Sequence, residues 1–177
     1  MLPIGPLMIE HRLIERMIRI MESEAKRIEK DGVLNLAVIE KAVDFIRSYA
    51  DRCHHGKEEG ILFRELEKKK LSGEHKRILD ELVEEHRLGR KLTASLAEAG
   101  EEAAAGNRSQ VAGAAAILKS LATFYPKHIE KEDKHFFIPV MGYFTESEKQ
   151  GMLKEGYEFD QRLIHKKYRQ MVELFEN

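Results

Sequence analysis

Apolar side chains recur at steps of three and four residues along almost the whole chain, which is the spacing of one face of an α-helix. In the first segment these residues are Ile9, Leu13, Met17, Ile20 and Met21. No stretch of strict apolar and polar alternation bounded by turn residues is present, so strands are not predicted. The fold class is therefore predicted to be all-α.

Four groups of turn-forming residues divide the sequence into five long segments. They lie at residues 30–32, 71–73, 100–106 and 139–142. Asn35 and Ser72 are predicted N-caps of the second and third helices. Because short connections make successive helices antiparallel, the first four segments predict an up-down-up-down four-helix bundle. The fifth segment, from about Ser147 to the end, predicts an additional C-terminal helix.

This division also predicts the domain organisation. We expect the four-helix bundle to occupy residues 1–142 and the C-terminal helix, packed on the bundle, to occupy residues 143–177. A chain of 177 residues is long enough for one compact domain with a buried core.

Charge and cysteine content exclude several classes of function. Thirty Lys and Arg residues against thirty-one Asp and Glu residues leave a net charge of −1, which is too balanced for a nucleic-acid-binding or membrane-binding surface. A single cysteine excludes a disulfide framework and any cysteine-rich metal site, and fits a reducing compartment. The N-terminal stretch lacks the basic region of a signal peptide. We therefore expect a cytoplasmic protein with no nucleic-acid or membrane partner.

Histidine and glutamate replace apolar residues at points where the helical stripes continue in phase. These residues are His11 in the first segment, His54 and Glu58 in the second, His86 in the third, and His128 and Glu132 in the fourth. A buried glutamate without a partner costs several kcal/mol, and a bound cation offsets that cost. The pattern predicts a two-metal site at the bundle centre. Nitrogen and carboxylate ligands without thiolate suit iron or manganese, and zinc is a further alternative.

The order of these motifs resembles the hemerythrin-like cation-binding family, which is named for its repeated His-His-Glu pattern. The similarity covers about residues 7–140, and its specific part is the pair of His-x-x-x-Glu motifs followed by Leu-Phe or Phe-Ile-Pro. The resemblance implies a non-haem di-iron centre bridged by two carboxylates and an oxo, hydroxo or water species. By motif, His11 and His54 would serve one iron, His86 and His128 the other, and Glu58 and Glu132 would bridge them.

The third helix departs from the pattern of the oxygen carriers in this family. That helix carries two histidines one turn apart in the carriers, whereas Leu82 and Arg90 flank His86 here, so one nitrogen is missing.

His55, Glu59 and His135 are the candidates for the missing ligand. We expect His55 to point away from the apolar arc of its helix. His135 follows Glu132 at a spacing found in ferritin-like di-metal bundles, so we expect it to ligate a metal, directly or through one water, and to matter more than His55. Tyr49 and Tyr125 lie one turn from predicted ligands and are either core residues or hydrogen-bond partners of the centre.

The resemblance favours a protein that binds dioxygen or nitric oxide for sensing, storage or scavenging. Two alternatives are open: a di-iron redox enzyme that reduces peroxide or nitric oxide, and an iron storage or donation protein. If the protein is a sensor, we expect its output partner to be a separate protein, since no signalling segment is recognisable in the sequence.

Overall fold

The computed structural model describes residues 1–160 and 162–176, apart from the side chains of residues 162–164 and 166. These residues form six helices and no strand, so the predicted all-α class is confirmed. The helices are α1 (Ile4–Asp31), α2 (residues 36–67), α3 (Gly73–Ala104), α4 (residues 109–140), α5 (Glu146–Phe159) and α6 (Arg162–Glu176). A short 3₁₀ turn, Met141–Tyr143, follows α4.

Helices α1 to α4 form the predicted up-down-up-down bundle. Helix α4 packs between α1 and α3, and α3 packs in turn against α2. Helix α5 packs on α2, whereas α6 packs on both α1 and α2.

The C-terminal segment differs from the single helix predicted for it. Asp160 adopts an extended conformation with ψ 105°, so α5 ends there and α6 begins separately at Arg162. Gln161 and Asn177, which the predicted helix includes, lie outside the described residues.

Two of the bundle helices contain π-helical segments. Helix α2 consists of α-helical Leu36–Phe45, π-helical Ile46–His55 and Glu58–Phe63, and α-helical Arg64–Glu67. Helix α4 consists of α-helical Ser109–Glu130, π-helical Lys131–Phe136 and α-helical Phe137–Val140. A π-helix closes its hydrogen bonds from i to i+5 and is frequently found at functional sites. Each turn is therefore wider, and side chains rotate less from one residue to the next than in an α-helix.

The helix ends follow the turn residues in part. Gly32 ends α1 in a left-handed conformation with φ 67°. Ser72 caps α3 as predicted, because its hydroxyl accepts a hydrogen bond from the backbone N–H of His75 at 3.1 Å. Asn35 occupies the predicted N-cap of α2, but its side chain makes no capping hydrogen bond.

Gly100 lies inside α3 and does not end that helix. A Cβ atom at this position would lie 2.9 Å from the Ile39 side chain of α2. The glycine therefore permits close packing of α2 on α3, and the alanine-rich stretch that follows continues the helix to Ala104.

Two apolar clusters fill the bundle. One is built from residues 13–28, 39–50, 96–99 and 114–129 together with Tyr168 and Val172 of α6, and the other from residues 4–7, 61–66, 78–82 and 136–152. Along each helix the predicted ligands fall at the boundary between these clusters. Among the described helices, none has both the length and the apolar character needed to cross a bilayer.

Candidate metal centre

Seven histidine and glutamate side chains from four helices meet in one buried layer. They are His11 of α1, His54, His55 and Glu58 of α2, His86 of α3, and His128 and Glu132 of α4, each no more than 2% exposed. Their ligand atoms form two groups, within each of which all atoms lie within 4.8 Å of one another. The first group is His11, His54, Glu58 and Glu132, and the second is His55, His86 and His128. All six residues predicted as ligands are brought together here.

The Glu58 carboxylate lies between histidines of two different helices. Its Oε1 atom lies 3.3 Å from Nε2 of His54, and its Oε2 atom lies 3.3 Å from Nε2 of His86. One carboxylate therefore presents one oxygen to each histidine group.

Glu132 has the same arrangement from the opposite side of the bundle. Its Oε2 atom lies 3.1 Å from Nε2 of His11, whereas its Oε1 atom lies 3.3 Å from Nε2 of His128. Two carboxylates that each face both histidine groups can bridge two cations.

The inward atoms of this layer make no hydrogen bonds within the described part of the chain. They are Nε2 of His11, His54, His86 and His128, both ring nitrogens of His55, and both carboxylate oxygens of Glu58 and Glu132. Buried polar atoms are nearly always paired, and leaving one unpaired costs free energy. All of these atoms can donate a lone pair to a cation once the nitrogens are deprotonated, so the residues fit a metal centre.

An outer ring of carboxylates orients four of the histidines. Each Nδ1–H group donates to a carboxylate: His11 to Asp133 at 2.8 Å, His54 to Glu10 at 2.8 Å, His86 to Glu59 at 2.6 Å and His128 to Glu85 at 2.8 Å. In each pair the carboxylate comes from the preceding helix of the bundle, with α4 preceding α1. In a neutral imidazole, such a bond places the proton on Nδ1 and leaves the Nε2 lone pair directed at the centre.

Each outer carboxylate is also paired with a basic side chain. The pairs are Asp133 with Arg12, Glu10 with Lys57, Glu59 with Arg90 at 2.8 Å, and Glu85 with Lys131 at 2.5 Å. Sequence reasoning missed Glu10, Glu85 and Asp133. Their position in the sequence could have indicated them, since each is next to a predicted ligand. Each, however, accepts a hydrogen bond from a histidine of another helix.

The pKa values show how strongly the carboxylates attract positive charge. Burial lowers the pKa of His54, but Glu58 and Glu10 outweigh it and raise that pKa to about 10. Burial likewise opposes protonation of His86, and three surrounding carboxylates raise its pKa to about 11. Burial raises the pKa of Glu58, but His54 and His86 bring it well below its usual value. Without a bound cation, His54 and His86 are therefore protonated at neutral pH.

His55 is part of this layer, contrary to the prediction that it points away from the core. Its ring stacks on that of His86 with the centroids 3.8 Å apart. Burial and the nearby His86 bring the pKa of His55 well below its usual value, so the ring is neutral and able to bind a metal. In an α-helix, about 100° per residue would put His55 opposite Ile46. The π-helical stretch Ile46–His55 rotates less, which brings His55 inward.

His135 is exposed, so the prediction that it ligates a metal and matters more than His55 is wrong. The cause is again the backbone, since His135 lies in the π-helical segment Lys131–Phe136. The wider turn moves the third residue after Glu132 away from the core. Phe136 and Phe137, both fully buried, pack beneath the centre instead.

The remaining candidates lie outside the two ligand groups. Glu59 hydrogen-bonds to His86 as described above. Tyr49 stacks on Phe45, and its hydroxyl pairs with Nδ1 of His165 at 3.1 Å, so it serves the core and not the centre. Tyr125 is 1% exposed, and its hydroxyl has no hydrogen-bond partner in the part of the chain that the structure describes.

Comparison with known proteins gives one family match. The model of the family described as the hemerythrin HHE cation binding domain matches residues 2–138. This range contains all seven residues of the buried layer and the four outer carboxylates. No curated protein and no solved structure matches the chain.

Proposed function

The chain belongs to the hemerythrin HHE cation-binding family, and from this we propose that it is a non-haem di-iron protein that binds dioxygen or nitric oxide. Its role would be sensing, storage or scavenging of that small ligand. The cofactor would be two iron ions with an oxo, hydroxo or water bridge.

The observation that carries this proposal is the double-sided placement of two buried carboxylates. Glu58 lies between His54 and His86, and Glu132 lies between His11 and His128, at 3.1 to 3.3 Å. A site for one ion would need only one of the histidine groups. Two groups joined by two carboxylates support a site for two.

The ligand chemistry supports iron. The donor atoms are imidazole nitrogens and carboxylate oxygens, a set that suits iron better than it suits metals that prefer thiolates. The thiol of Cys53 is directed at Asp160, with Sγ to Oδ1 at 3.4 Å, and not at this centre. Iron would supply the redox change that allows a diatomic ligand to bind.

Residues around the centre would fix the orientation of the metal ligands. The outer carboxylates hold four imidazoles with Nε2 inward, and apolar clusters pack on either side of the layer along the bundle axis. In a sensing role, the output partner would be a separate protein. A cytoplasmic location is part of the proposal, since the lone cysteine suits a reducing compartment.

Metal analysis combined with optical spectroscopy tests the proposal. Protein produced with ample iron is expected to contain about two irons per chain. Anaerobically reduced protein is expected to develop a charge-transfer band with oxygen or nitric oxide and to lose it when the gas is removed. Zinc alone, or a single metal per chain, would contradict the proposal, and continuous oxidant consumption without a reversible band would favour the redox enzyme.

A further inference from the structure

A cavity of about 140 Å³ lies beside the metal centre, between α2, α3 and α4. Its walls include the buried residues His55 and Tyr125 and the exposed residues Arg47 and Arg90. Because its lining extends from exposed to buried residues, the cavity leads from the surface to the His55 side of the centre. A water molecule takes up about 30 Å³ of the liquid, so there is room for a few waters or a small ligand.

The hydroxyl of Tyr125 lies at the inner end of the cavity. It is buried and has no hydrogen-bond partner among the described residues, which is rare and costly for a hydroxyl. A Cβ atom on Gly89, which also lines the cavity, would lie 3.7 Å from this oxygen. The hydroxyl therefore faces the open space above Gly89. Burial raises the pKa of Tyr125, so the hydroxyl keeps its proton and can donate it.

Gly89 keeps that space open. A Cβ atom there would also lie 3.4 Å from the ring of Phe124, which leaves no room for a branched side chain without filling the cavity. The neighbouring hydroxyl of Thr93 is already satisfied, since it donates to the Gly89 carbonyl at 2.7 Å. The Tyr125 hydroxyl is thus a buried donor in the cavity wall without a partner among the described residues.

The mouth of the cavity carries two arginines, Arg47 and Arg90, and one carboxylate, Asp51. Arg90 is paired with Asp51 at 2.7 Å and with Glu59 at 2.8 Å. Arg47 has no ion pair with the described part of the chain, so its positive charge is not offset there.

We propose that this cavity, here called the Tyr125 cavity, admits a hydrogen-bond acceptor of two or three heavy atoms to the His55 side of the centre, and that the Tyr125 hydroxyl binds it. This inference rests on the proposed function, because the ligand in the cavity would be the same small molecule that binds the metal centre. Tyr125 is then a specificity-determining residue, since it favours acceptor ligands over apolar ones of equal size.

Azide is a suitable probe, because it is a small acceptor and gives optical bands with ferric iron. In the iron-loaded full chain, Tyr125→Phe is expected to raise the azide Kd about tenfold, as expected for one lost hydrogen bond in a buried site. Gly89→Val is expected to slow azide association more than tenfold by filling the cavity. Tyr49→Phe is the matched control, because it removes a buried hydroxyl that lies outside the cavity, and it is expected to leave the Kd unchanged.

Iron content and melting temperature show whether the variants fold and load as the parent does. Tyr125→Phe removes a hydroxyl without a partner, so its melting temperature is expected to be no lower than the parent's. An iron-loaded parent that binds no azide, or an azide Kd that Tyr125→Phe leaves unchanged, would overturn the inference.

A measurement without iron separates this inference from the proposed function. In crystals of the metal-free chain soaked in azide, an azide or an ordered water is expected within hydrogen-bond distance of the Tyr125 hydroxyl. An empty cavity in such crystals would overturn the inference whatever the iron content of the protein.

Discussion

Asp133 of α4 accepts a hydrogen bond from Nδ1 of His11 of α1 at 2.8 Å, and this bond joins the last helix of the bundle to the first. With the pairs from Glu10, Glu59 and Glu85, it completes a ring in which each helix orients a histidine of the next. The carboxylate that orients each of these four histidines therefore always comes from a different helix. Metal binding should require all four helices in place, which couples the metal to the fold.

The first prediction concerns Glu58 and Glu132, the two carboxylates proposed to bridge the metals. Glu58→Ala and Glu132→Ala are each expected to lower the metal content to less than one ion per chain, because each removes an oxygen from both histidine groups. When the free metal concentration is about 100 times the Kd, metal binding adds about 2.7 kcal/mol to the free energy of unfolding, and a variant that cannot bind the metal loses this contribution. The melting temperature of iron-treated protein should then fall by roughly 5 to 10 °C.

Elemental analysis and thermal unfolding measure these two effects together. Glu130→Ala is the control, since Glu130 is exposed on the same helix as Glu132 and pairs with Lys134 at 2.7 Å, away from the centre. Full loading with an unchanged melting temperature in both variants would contradict the bridging role.

The outer ring provides the second prediction. Glu85→Gln is expected to lower the metal affinity about 10- to 100-fold without unfolding the chain, because His128 loses the charged acceptor that orients it. Glu84→Gln is matched in chemistry and position, but Glu84 pairs with Arg87 on the surface. Competition with a chelator measures both affinities. Equal affinities in the two variants would mean that the ring does not support the ligands.

The third prediction compares the two histidines whose positions the π-helical segments decide. His55→Ala is expected to lower the metal content and alter the optical spectrum, because His55 is buried and neither ring nitrogen has a hydrogen-bond partner among the described residues, although Nδ1 lies 3.5 Å from Asp51. His135→Ala is expected to change neither, because His135 is exposed. The opposite result would show that the metal-bound chain places these residues as the sequence pattern suggested.

The fourth prediction concerns pH. The pKa values of His54 and His86, about 10 and about 11, exceed the unfolded value of about 6.5. Their protonation thus stabilises the metal-free fold fully below about pH 6.5, and this contribution is lost as the pH rises through 10 to 11. The melting temperature of the metal-free protein should therefore fall between pH 7 and 10.

Metal binding should show the opposite trend over the same range. A metal must displace the protons held by His54 and His86, so its apparent affinity is expected to rise with pH. Thermal unfolding of metal-free and iron-loaded protein in parallel measures both trends. A metal-free melting temperature that does not change with pH would contradict the assignment of these protons.

Local sequence pattern determined the helices, the bundle and the six predicted residues that meet at its centre. Apolar spacing repeats within each segment, and a histidine or glutamate within an apolar stripe must find a partner in the core because an unpaired buried charge is costly. His11, His86 and Glu132 could therefore be placed without knowing how the helices pack.

Only the tertiary structure decided which additional residues join the centre. Whether a segment bonds from i to i+4 or from i to i+5 depends on how it packs against its neighbours, and that choice brought His55 inward and turned His135 outward. The partners of the histidines, such as Glu10 for His54, lie on other helices, so they depend on the relative rotation and height of two helices. The Tyr125 hydroxyl has no partner among the described residues because it faces a cavity between three helices. The shape of that cavity depends on how the helices pack and cannot be predicted from the sequence of one helix.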